Sequence, residues 1–156
     1  MGKQESEKLE TEEYKLSEWE KMFRQAEVLK SNMKFYSTEM TFLHHLLDRY
    51  LLWLIEEESL AGLQLLNSKV KAADQKCSDF ITKAESLMNR LGLLIDNPFA
   101  QDEHRIQESF RHTEAEATAF ETELKRLKNE VFDHVAHTLR SEKARKLLAA
   151  HESVSK

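Results

Sequence analysis

The sequence predicts an all-α protein: an antiparallel up-down-up bundle of three long helices with coiled-coil-like heptad packing, equipped to dimerise. Three observations carry this expectation. Apolar residues recur at alternating steps of three and four over three long stretches, the signature of helices packed by their a and d positions. A chain of 156 residues with one Pro and three Gly has few turns available. The period-two alternation of a half-buried strand is absent from the whole sequence.

The first stretch runs Trp19, Met22, Ala26, Leu29, Met33, Tyr36, Met40, Leu43, Leu47, Tyr50, Leu54. Ser17-Glu18-Trp19-Glu20 fits a capping box, in which the Ser17 hydroxyl accepts from the Glu20 N–H and the Glu20 side chain reaches back. This places the packed part of helix 1 at about residues 17–56 and leaves residues 1–16 as a flexible or frayed acidic segment. The second stretch runs Leu63, Leu66, Val70, Ala73, Cys77, Phe80, Ala84, Leu87, Leu91, Leu94. Its phase differs from the first by two residues, a rotation of roughly 200° at ~100° per residue. A turn at Glu57–Ser59 with Ser59 as N-cap accounts for the slip and starts helix 2, residues 60–95. Asp96-Asn97-Pro98 marks the second turn, with Asn97 as N-cap and Pro98 at the first helical position. Helix 3, residues 98–149, carries Ile106, Phe110, Thr113, Ala117, Phe120, Leu124, Leu127, Val131. Residues 151–156 read as a disordered tail. Two short connections make neighbouring helices antiparallel.

Composition narrows the function classes. A net charge of -5 argues against a nucleic-acid binder, which needs a basic face. The most apolar window, Leu46 to Ile55, contains Asp48 and Arg49 and is too short to span a bilayer. One cysteine excludes an internal disulfide and fits a reducing, cytoplasmic setting. Cys77 falls at a seam position among Ala73 and Ala84 and reads as a small core residue rather than a nucleophile.

Metal and catalytic patterns are sparse. No Glu-x-x-His, His-Glu-x-x-His or Gly-rich phosphate loop occurs, and one cysteine cannot build a thiolate zinc site. The nearest approaches are Glu108 with His112 and Glu130 with His134, each four residues apart. His134 and His137, with Glu130 and Glu57, form the best candidate for a divalent cation. The competing reading is a polar core histidine that hydrogen-bonds a glutamate. His44, His45 and Asp48 share a helix face, an arrangement also common on solvated helices. Lys125, Arg126 and Lys128, with Glu121, Glu123 and Glu130 nearby, read as a solvated face. With no nucleophile–base pair in reach, no enzyme, cofactor or small-molecule substrate is expected.

The informative surplus is apolar. Beyond its seam, helix 1 carries Phe35, Phe42, Leu46 and Trp53 on one flank, with Leu51 and Ile55 on the other, so its stripe covers about 200°. Three helices do not supply enough cover. Counting levels from the two turns, helix 3 overhangs helix 1 beyond His137 by ~20 Å. That end is basic and amphipathic, with Leu139, Arg140, Lys143, Arg145, Lys146, Leu147 and Leu148. Either it packs across the flank, or a second copy or partner protein covers the flank. The expected function is therefore a non-catalytic scaffold or interaction protein that self-associates or binds a partner protein. The alternative is a ligand- or metal-binding bundle using His134, His137 and the Glu56–Glu58 turn.

Overall fold

The computed structural model describes residues 2–51, 57–98 and 102–154, and side chains within these except at 57–59, 144, 145, 147, 148 and 151–154. Three helices account for almost all of them: α1 Gly2–Leu51, α2 Glu57–Asp96 and α3 Glu103–Val154. No strand forms among the described residues, and the helices pack against each other.

The residues taken out of water are those of the three periodic stretches. Every member of the second stretch is buried. In the first, Leu29, Tyr36 and Tyr50 are half-buried, Leu54 lies outside the described residues, and the rest are buried; in the third, only Leu127 is half-buried. Val135 and Thr138 extend the buried row of α3. Each buried Leu, Val, Phe or Met contributes roughly 1.5–3 kcal/mol of transfer free energy, so this row, rather than helix propensity, supports helices of such length.

The chain divides into two compact units, and the division falls inside all three helices. Unit 1 comprises Met1–Ser37 and Lys76–Phe120. Its core joins Trp19, Met22 and Ala26 to Leu87, Leu91, Leu94, Ile106 and Phe110, with Phe23, Met88 and Ile95 packed against them. Phe80 stacks on Phe120 at 5.3 Å between ring centroids. Lys30–Glu85 at 3.2 Å and Lys83–Glu116 at 3.5 Å bridge the helices at the rim. Unit 2 comprises Thr38–Gln75 and Glu121–Lys156. Here Met40, Leu43, Leu47, Leu63, Leu66, Val70, Leu124 and Val131 are buried. Lys69 pairs with Glu130, and Lys128 with Glu39.

The helix ends differ from the sequence expectation. α1 begins at Gly2, so Ser17 is interior to the helix and does not cap it. Residues 2–17 are all exposed, and Trp19 is the first buried side chain. The physical reason is visible in the stripe: stepping back from Trp19 brings charged Lys15 and Glu12 into the apolar positions. These continue a helix without covering a core. α2 takes in Glu57–Ser59, so the turn expected there is helical and Ser59 is not a cap; residues 52–56 lie outside the described residues. Asn97 closes α2, its N–H donating to the Leu93 carbonyl at 2.8 Å. Asp102, not Asn97, caps α3: its carboxylate accepts from the Arg105 N–H at 3.4 Å and its carbonyl from the Ile106 N–H at 3.2 Å. α3 then runs to Val154, past the expected end at 149 and into the segment expected to be disordered.

This cap assignment predicts that Asp102→Ala costs about 1 kcal/mol, while Asn97→Ala costs less than about 0.5 kcal/mol. Urea denaturation of the two variants measures the difference.

Candidate functional site

Unit 2 holds the polar groups that depart from a plain apolar core. On α1, His44 and Asp48 lie one turn apart, and Asn67 of α2 is buried against them at 8% exposure. His44 Nδ1 is 2.6 Å from Asn67 Oδ1, Asn67 Nδ2 donates to Asp48 Oδ1 at 3.0 Å, and His44 Nε2 is 3.1 Å from Asp48 Oδ2. The three side chains close a ring. With both imidazole nitrogens protonated, His44 donates to both neighbours while the amide donates to the carboxylate. The sequence pointed to His44 and Asp48 but not to Asn67, which stands next to the seam residue Leu66 with no motif to mark it.

His134 has a different surrounding from the expected glutamate contact. Its Nε2 is buried and has no hydrogen-bond partner. The ring lies over Gly62 of α2, where an added Cβ would come within 2.8 Å of His134 Cε1. Gly62 is thus a close-approach glycine, the one signal in the sequence being an isolated Gly inside an apolar helical pattern. His137 and Glu130 are exposed, and Glu130 is paired with Lys69 at 3.5 Å. Glu57 belongs to α2, its side chain outside the described set. Among the described residues no three His, Cys, Asp or Glu side chains gather as metal ligands. In unit 1, Glu108 pairs with His104 at 3.1 Å rather than with His112, which pairs with Glu116. Cys77 is buried.

The apolar candidates separate by unit. In unit 1, Phe35 is 62% exposed and meets Tyr36 edge-on at 6.0 Å. In unit 2, Phe42 is 61% exposed and Leu46 is half-buried on α1, and Leu139 is 46% exposed on α3. The chain's own third helix therefore leaves Phe42 uncovered. Phe132 of α3, which no sequence pattern marks, is also 46% exposed. Trp53 and Ile55 lie outside the described residues, as do the side chains of Leu147 and Leu148.

The Gly62 contact yields a coupling prediction. Alanine in a helix interior is worth about 0.8–1 kcal/mol over glycine, but in this chain the new Cβ meets the His134 ring. Gly62→Ala alone is expected to lose that gain, and Gly62→Ala in a His134→Ala background to realise it. A double-mutant cycle by thermal denaturation reads the difference as a coupling above about 0.5 kcal/mol.

In comparisons with family models, curated proteins and solved structures, nothing matches the chain.

Proposed function

We propose that this chain is a non-catalytic, cytoplasmic helical-bundle protein that works by association, first with a second copy and otherwise with a partner protein. The observation that carries the reading is the pair of exposed phenylalanines in unit 2. Phe42 is three residues from Glu39 and Phe132 four residues from Lys128, and Glu39 and Lys128 are bonded to each other. Both rings therefore lie within about one helical turn, roughly 5 Å along the axis, of one ion pair. Half-buried Leu46 continues the strip on α1, one turn beyond Phe42. Single exposed apolar side chains are ordinary, whereas aromatics gathered with Leu at one level form the expected centre of an interface.

An up-down-up helix order goes with this reading. In unit 1, Phe23 approaches Gly92 while Lys30 pairs with Glu85. In unit 2, Lys69 pairs with Glu130 while Gly62 approaches His134. In both sets the numbers on one helix rise as those on its neighbour fall, the order that antiparallel neighbours give. No helix of the described residues is long and apolar enough to cross a membrane.

Sedimentation velocity up to about 100 μM tests the reading. The wild-type chain is expected to dimerise. Phe42→Glu and Phe132→Glu are each expected to weaken dimerisation at least about tenfold, or 1.4 kcal/mol, with helix content and melting temperature unchanged. A monomer throughout, or dimerisation indifferent to both substitutions, contradicts self-association through this strip.

A further inference from the structure

We infer that the cavity beside the exposed start of α1 is a binding site for a small amphiphilic ammonium, its apolar body held by Leu9, Leu16, Ile95 and Pro98 and its cationic head by Glu12 and Glu13. Every residue that lines this cavity belongs to unit 1, so nothing in it rests on the Phe42 strip of unit 2.

The local sequence builds the walls. Lys15 of α1 pairs at 3.5 Å with Glu103, the first residue of α3, which ties the exposed stretch before Trp19 to a neighbouring helix. Leu9 and Leu16 are seven residues apart and so share one face of α1, yet both are exposed. Ile95 in the last turn of α2 and Pro98 just beyond it complete the apolar lining, together with the buried Trp19. The cavity measures about 470 Å³, the size of a small-molecule site. A helix about 10 Å across would outgrow it within about two turns.

The charges around these walls set the sign of the ligand. Glu12, Glu13 and Glu103 line the cavity with a single cation, Lys15. Glu103 is already held, by Lys15 and by the Gln107 amide, which donates to it at 3.4 Å. Glu12 and Glu13 have no side-chain partner among the described residues. α2 brings its C-terminal end here, where a helix carries about half a negative charge, and its last turn holds Asp96 and no basic residue. The positive end of α3 is met by the Asp102 carboxylate, which accepts from the Arg105 N–H. The balance beside the apolar walls is therefore negative. A neutral ligand would leave Glu12 and Glu13 without a counter-charge, and a bare inorganic cation would leave Leu9 and Leu16 in water. An ammonium on an apolar body answers both.

The test titrates the full chain carrying Trp53→Phe, which leaves Trp19 as its one tryptophan. The probes are phenylbutylamine and phenylbutyrate, which share a body and differ in the sign of the head. Trp19 fluorescence is expected to change saturably with the amine, with a Kd below about 5 mM, and calorimetry on the wild-type chain to give the same constant. Phenylbutyrate is expected to bind at least about tenfold more weakly. Glu12→Gln with Glu13→Gln is expected to weaken the amine at least about fivefold. Leu9→Ala with Leu16→Ala, which keeps good helix formers in α1, is expected to weaken it at least about fivefold with helix content unchanged. No saturable binding of the amine below about 5 mM, equal binding of the two probes, or an affinity indifferent to both pairs of substitutions overturns the inference.

Discussion

Water has to be kept from one row of side chains on each helix, and that requirement sets where the helices hold together. A helix of 50 residues gains little per residue from propensity, and its stability in solution comes from covering an apolar face. The rows here step by three and four from Trp19, Leu63 and Ile106, and the buried residues follow them closely. Where a row meets charge, burial stops. Lys15 and Glu12 occupy the positions that would continue inward from Trp19, and α1 goes on as an exposed helix.

Polar groups placed against the row tune it rather than break it. The His44–Asn67–Asp48 ring satisfies a buried amide that would otherwise cost about 1–3 kcal/mol. Gly62 lets α2 come close enough for the His134 ring to lie over it, at the expense of a poor helix residue and an unpartnered Nε2. The half-exposed ion pairs at the rim, such as Lys69–Glu130, add little individually. Their use is in register, since each fixes which residues lie level.

The periodic rows were legible in the sequence because period alone encodes them, and nearly every residue they name is buried. The helix ends were less so. A capping box at Ser17 and an Asn-Pro pair at 97 are local signals, and a local signal cannot tell that a helix persists beyond its packed part or starts five residues later at Asp102. The exposed flank was half visible: Phe35, Phe42 and Leu46 stand beside the seam of α1 by count. Phe132 was missed because it sits on a polar-looking stretch of α3, and only the Glu39–Lys128 bond brings it level with Phe42. Partners across helices, such as Asn67 for His44 or Gly62 for His134, depend on register between segments that no single segment states.

The buried rows hold the helices together, while α1 before Trp19 runs on as exposed helix and Phe42 and Phe132 face water. Hydrogen–deuterium exchange of the wild-type chain, read residue by residue at low and at high protein concentration, tests that most directly. Slow exchange is expected along the buried rows at both concentrations. Fast exchange is expected for the exposed residues 2–17 at both, and slowing with rising concentration for the amides around Phe42 and Phe132, where association is proposed. Residues 2–17 as well protected as the buried rows, or exchange around Phe42 and Phe132 indifferent to concentration, would contradict this.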